Sequence, residues 1–279
     1  MHRTHLLLID PQNDFCDLPE ELCPIAPDGQ RLSPALPVPG AHGDIQRLTG
    51  WLGQNLSKVD AITVTMDHHH RLDIAHPGFW RTRAGDAVAP FTQISSGRLK
   101  TGEFDTAPGL DRERALAYLE ALEADGRFAH MVWPVHCQIG TWGQCVHPIL
   151  QMSLDAWEDA TGRTVAHILK GESHWTEHYS ALQAEVPDPT DPSTSLNRTL
   201  LDRLATADAV LVAGEAGSHC VRATVEHLVE HWPHNVSRIV LVSDAMSPVS
   251  GFESVQARFL ADMAARGLRI ASTEELDRI

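Results

Sequence analysis

The feature that most narrows the fold is an alternation. Short apolar runs rich in β-branched residues recur along the chain, and stretches with helical spacing of apolar positions stand between most of them. His5–Asp10, Ala61–Thr65, His130–Trp133, Val165–Leu169, Ala209–Ala213 and Ile239–Val242 read as strands, with Leu268–Ser272 a weaker seventh. Ile45–Leu56, Arg112–Ala124, Thr199–Leu204, Val221–His231 and Glu253–Arg266 read as helices. Strands alternating with helices predict βαβ units and a mostly parallel sheet covered on both faces. In such sheets ligands bind beyond the carboxyl ends of strands, so those ends are where chemistry is expected.

The chain has 279 residues, enough for one large α/β domain, and no composition break divides it. Residues 1–279 are therefore read as a single domain with loop insertions at about 16–43 and 81–130. These loops could serve as lids or interface arms, or be disordered. The formal net charge of −15 argues against nucleic acid and anionic membrane as partners. No stretch approaches the roughly 18 apolar residues of a membrane span, and the N-terminal run is short for a signal peptide. Five unevenly spaced cysteines without a C-x-x-C pair point to a reducing cytoplasm and free thiols.

Candidate chemistry collects at the expected ends. Strand one closes on Asp10, a carboxylate that could act as base, ligand or turn cap. Strand two runs into TMDHHH, where Asp67 and His69 alternate and so point to one side, as a divalent ion requires. His68, His70 and His76 stand nearby. WPVHC follows the third run and offers His136 as a further ligand and Trp133 as a planar surface, whereas Cys137 reads as a buried neighbour. Lys170 ends the fourth run; it could reach solvent or lower the pKa of a cysteine. AGEAGSHC follows the fifth, a small-residue turn that delivers Cys220 to the first turn of a helix with Ser218 as N-cap. Alone, Cys220 could equally be a small buried hydrophobe. Together, a thiol nucleophile, a lysine and a carboxylate form a complete set for acyl transfer, and turn amides would receive the oxyanion.

In DPQNDF (Asp10–Phe15), DHH…HPGFW (Asp67–Trp80), WPVHCQIGTWG (Trp133–Gly143), LKG (Leu169–Gly171) and GEAGSHCVRAT (Gly214–Thr224), the sequence resembles the isochorismatase-like cysteine hydrolases, nicotinamidase/pyrazinamidase group. The resemblance implies a three-layer α/β/α Rossmann-like fold with a six-stranded, mostly parallel sheet and an Asp10–Lys170–Cys220 triad. It implies one divalent metal ion, zinc foremost and iron or manganese as alternatives, held by Asp67, His69 and His136. His76 is the least secure ligand, with His70 competing. Phe15 and Trp133 would sandwich a pyridine ring beside Ala216, and a cis peptide is expected at Glu215–Ala216. GEAGSH departs from the G-x-A-T-D-H common in the family. The expected activity is hydrolysis of nicotinamide or another small amide in NAD salvage, with a homo-oligomer left open. Two other readings stay open: a metal-hydroxide hydrolase with a structural Cys220, and a binding protein without turnover.

Overall fold

The computed structural model describes residues 3–278, leaving residues 1, 2 and 279 of the expected domain outside. In chain order the elements are β1 (Thr4–Ile9), α1 (Ala41–Gln54), β2 (Ala61–Asp67), β3 (Trp80–Thr82), β4 (Thr92–Gln93), α2 (Ser96–Lys100), β5 (Phe104–Thr106) and α3 (Arg112–Asp125). There follow β6 (Met131–Val132), α4 (Pro148–Thr161), β7 (Ala166–Lys170), α5 (Arg198–Ala205) and β8 (Ala209–Gly214). The chain ends with α6 (Cys220–His231), β9 (Ile239–Val242), α7 (Glu253–Ala265) and β10 (Arg269–Ala271). Single-turn 3-10 segments punctuate the connections.

The main sheet has six strands in the order β10-β9-β8-β1-β2-β7, every pair parallel. β8 and β9 are buried along their whole length, as strands covered on both faces must be. β7 lies at the edge, and there Leu169 stays about half exposed, at 53%. Among the described residues no helix is long and apolar enough to cross a membrane.

Two expectations about elements are corrected. The third apolar run is not a strand of the main sheet: β6 is two residues long and pairs antiparallel with β4. The weak seventh run takes the sixth place as β10. A helix also went unread. α4 opens with Pro148 at its first turn, where a missing N–H costs nothing, and Gly162 closes it in the left-handed conformation. Its buried stripe is Leu150, Leu154 and Trp157, packed against α1.

The 81–130 insertion folds onto itself rather than hanging free. Phe79, Trp80, Ile94, Leu99, Tyr118 and Leu122 belong to a second apolar cluster beneath α2 and α3. The 16–43 loop is tied down as well, with the Leu36 amide bonded to Asp14 O and the Val38 amide to Phe15 O. From the 16–43 loop Leu36 becomes a wall of one pocket together with Trp133, and Phe91 of the second insertion lies edge-on against that Trp133, ring centroids 6.0 Å apart.

Candidate active site

The hexapeptide after β1 organises the site. Asp10 adopts a positive φ of 42° and turns the chain sharply. Thr65 donates to its Oδ1 at 2.6 Å, and the Asp10 amide returns to Thr65 O at 3.1 Å. Gln12 clamps the end of β2: the Asp67 amide donates to its Oε1 at 2.7 Å, and its Nε2 donates to Asp67 O at 2.8 Å. Asp14 accepts from the Cys137 amide at 2.7 Å, fixing the residue beside His136. Phe15, one step on, lines the pocket.

Lys170, at the end of β7, is the centre of charge. Its Nζ lies 2.8 Å from Asp10 Oδ2, 2.5 Å from Asp67 Oδ1 and 3.7 Å from Cys220 Sγ, and donates to His178 O at 2.8 Å. Lys170, Asp10, Asp67 and Cys220 are all buried. Burial alone would neutralise such a lysine, but Asp10 and Asp67 outweigh it and hold the ammonium charged, well above its ordinary pKa. Burial raises the Asp10 carboxyl to about 6 against the pull of Lys170. Burial would also raise Asp67, yet Lys170 and His69 overcome it and keep that carboxylate ionised, far below the usual range.

Cys220 begins α6 as expected, but the cap differs. His219 occupies the N-cap position, and Ser218 instead bonds His219 Nδ1 at 2.8 Å and accepts from the Val249 amide. Burial pushes the Cys220 thiol well above its ordinary value despite Lys170. That direction favours the protonated sulfur and leaves a role for a base beside it. The Glu215–Ala216 peptide is cis. Among loop amides, those of Glu215, Gly217, His219 and Val221 are spent on Ile9 O, Ser247 O and Ala216 O. The Ala216 and Cys220 amides have no such acceptor among the described residues.

Gly214, at φ 116°, brings this loop so close to β1 that an added Cβ would run into the backbone of Ile9. Gly214→Ala is therefore expected to lower stability by about 2–4 kcal/mol or prevent folding, as read from a urea melt. A loss within experimental error would refute the close approach.

Beside the lysine cluster, Asp67, His69 and His136 bring their ligand atoms within 4.8 Å of one another. The two imidazoles are oriented from behind. His69 Nδ1 faces Asp73 Oδ2 at 3.2 Å and His136 Nδ1 faces Pro134 O at 2.8 Å, which turns each Nε2 toward Asp67. His76 is buried against the same two imidazoles, its ring 5.3 Å from that of His69 and 5.1 Å from that of His136. Its Nε2 lies 3.3 Å from His136 Nδ1 and accepts from the His136 amide at 3.4 Å, and its Nδ1 bonds the His70 carbonyl. The His70 side chain is exposed.

The pocket over these groups is narrow, a cavity of about 20 Å³. Phe15, Trp133, Ala216 and Cys220 line it, together with residues that sequence reasoning did not single out: Leu36, Glu177, Tyr179, His219 and Val249. Trp133 is braced by its Nε1, which donates to Glu177 Oε1 at 3.1 Å and Tyr179 Oη at 3.0 Å. Burial raises the Glu177 carboxyl to about 8, so it is largely neutral near pH 7. A roomier cleft along α6 and α7, lined by Arg127, Arg222, Glu226 and Asp262, contains none of the reactive groups.

No family model matches the sequence, and no curated protein matches it either. In three dimensions the chain is similar to the yeast nicotinamidase, at 20% identity over 96% of this chain and 99% of that one, with a TM-score of 0.61. It is similar also to the Acinetobacter baumanii nicotinamidase pyrazinamidase (19% identity, 99% of each chain, TM-score 0.59). A third similar structure is the Pyrococcus horikoshii pyrazinamidase in complex with zinc (19% identity, 97% of this chain and 99% of that one, TM-score 0.54). The chain thus has the fold of these amidases, shared with isochorismatase-family hydrolases.

Proposed function

We propose that the chain is a metal-containing cysteine amidohydrolase that converts a small aryl carboxamide, nicotinamide foremost, to its carboxylic acid and ammonia. One observation carries this reading: a single buried ammonium, Lys170 Nζ, reaches both Asp10 and Cys220 beneath a pocket walled by Phe15 and Trp133.

The chemistry follows from the protonation states. Asp10, at about 6, is mostly ionised near neutral pH and takes the proton from Cys220 as sulfur attacks the carbonyl carbon. Lys170 offsets the charge on sulfur while the Ala216 and Cys220 amides receive the oxyanion. The C–N bond breaks, nitrogen leaves as ammonia with the proton held by Asp10, and a thioester remains on Cys220. Asp10 then removes a proton from water attacking that thioester. The C–S bond breaks, and the proton returns to sulfur.

The donor set of Asp67, His69 and His136 suits a divalent ion, being one carboxylate and two imidazoles whose far nitrogens are already engaged. Zinc is the first choice, with iron or manganese as alternatives. Such an ion, when bound, supplies Lewis acidity toward a ring nitrogen and an acidified water. On this reading the enzyme works in the cytoplasm, in recycling of the pyridine nucleotide ring.

The metal-hydroxide alternative, with Cys220 only structural, leaves the Asp10–Lys170–Cys220 contacts without a use. Ammonia release from nicotinamide by the zinc-loaded chain decides between them. Wild type should turn over, and Cys220→Ala should lose at least about a thousandfold in kcat while keeping its metal. A variant that retains most of its activity would hand the reaction to the metal.

A further inference from the structure

Glu215, between β8 and α6, has no solvent exposure and no part in the steps above. Its Oε2 accepts from the Ser247 amide at 3.1 Å, and its Oε1 has no hydrogen-bond partner. Opposite it stands Asp44 of α1, which is 2% exposed. Asp44 Oδ1 pairs with Arg47, and Asp44 Oδ2 is likewise unpartnered. The two carboxyls face each other within hydrogen-bonding reach. Two buried acceptors without donors are costly, and two carboxylates at that range cannot both ionise. One proton between them removes both difficulties.

We propose that Glu215 is a positioning residue for the nucleophile, a neutral acid that donates its proton to Asp44 Oδ2 and thereby ties the loop carrying Ala216 and Cys220 to the first turns of α1. Its effect on turnover rests on the cysteine-hydrolase reading; its protonation does not.

The surroundings decide which carboxyl keeps the proton. Asp44 has the Ser247 hydroxyl and a guanidinium, Arg47, on its own helix, whereas Glu215 has only a backbone amide. From the loop after β1, Asp17 and the Cys16 thiol also face the pair. Asp17 accepts from the Gly40 and His42 amides at the start of α1, each at 2.8 Å, and adds negative charge. From the loop after β9 comes Ser247, whose amide serves Glu215 and whose hydroxyl serves Asp44. Among the described residues no cation acts on Glu215, so the charge belongs on Asp44. Burial first, and Asp44 second, push the Glu215 carboxyl well above its ordinary value, in the same direction.

The clamp matters because of what is bonded around it. The Glu215 amide donates to Ile9 O at 2.8 Å, one residue before Asp10, and the Gly217 amide donates to Ser247 O at 2.8 Å. One shared proton therefore helps hold the end of β1, the loop and the start of α6 in a single arrangement. Base and nucleophile are set against each other by it.

Infrared difference spectroscopy of the full chain, wild type minus Glu215→Gln near neutral pH, reads the proton directly. The expected result is the carbonyl stretch of a protonated carboxylic acid, shifting in heavy water. The same band should vanish in Asp44→Asn, whose amide would donate to an ionised Glu215. Alkylation of Cys220 and amide turnover form the second readout. Glu215→Gln keeps a donor for Asp44 and should stay within about threefold of wild type in both, whereas Glu215→Ala, checked for its fold by circular dichroism, should fall at least about tenfold in kcat with little change in KM. Absence of the acid band, or a Gln variant as damaged as the Ala variant, overturns the proposal. If wild type hydrolyses no amide, the functional reading fails by itself, because the band and the alkylation rates still report on Glu215.

Discussion

Lys170→Met is expected to cost the protein both its activity and a large share of its stability. The side chain is 1% exposed and stands between two buried carboxylates, Asp10 at 2.8 Å and Asp67 at 2.5 Å. Removing one partner from such a cluster leaves charge uncompensated in a low dielectric, which costs about 3–5 kcal/mol. The chain can relieve this only by protonating a carboxyl, and Asp10, already raised to about 6 by burial, is the one that would take the proton. The base is then occupied at neutral pH, and the charge forming on sulfur has no counter-ion. A fall in kcat of roughly a thousandfold or more follows. Thermal melts and turnover of the zinc-loaded variant check both halves. The double variant Asp10→Asn/Lys170→Met separates them: it should regain part of the stability, because fewer carboxylates are left unpaired, and none of the activity. If Lys170→Met melts like wild type and stays within about tenfold of its rate, Lys170 is a bystander and the proposed role fails.

Why could Lys170 and its partners Asp10, Asp67 and Cys220 be singled out from sequence while the residues that orient them could not? The strands β1, β2, β7 and β8 are apolar runs long enough to read, and in a parallel sheet the position of Asp10, Asp67, Lys170 and Cys220 at their ends follows from the chain direction alone. β6 deceived because two apolar residues flanked by His130 and Trp133 look the same whether they join a parallel sheet or a short antiparallel bridge with β4. Periodicity carries no information about partners. The residues that orient the site were hidden for the same reason. Gln12 reaches Asp67 across 55 positions and Asp14 reaches Cys137 across 123; nothing local announces either bond. Asp73 was the one within reach, four residues after His69, where a carboxylate can turn back onto an imidazole. The helix start at Cys220 is visible in sequence, but the depth of burial that pushes its thiol up is not.

The metal centre carries the other large expectation. Asp67→Ala should leave the purified chain with less than about a tenth of the wild-type zinc after dialysis, because the carboxylate is the only anionic donor of the Asp67–His69–His136 set. Asp73→Asn tests the support behind it. The amide oxygen of that variant could still accept from His69 Nδ1–H, but the imidazole would lose the negative charge that strengthens it as a ligand, and affinity should fall about 10–100-fold. His76→Ala distinguishes a ligand from a prop. Its Nε2 receives the His136 amide instead of facing Asp67, so the variant should bind metal less tightly by no more than about tenfold, against at least about a hundredfold for His69→Ala. Competition with a chromophoric chelator measures all four variants on one scale. Equal losses for His76→Ala and His69→Ala would make His76 a fourth ligand, reached by a rotation of its ring. Failure of the wild type to bind zinc, iron or manganese at all would remove the metal from the proposed function. It would leave intact the prediction that Cys220→Ala is inactive, because Asp10, Lys170 and Cys220 meet through their own contacts and those contacts involve neither imidazole.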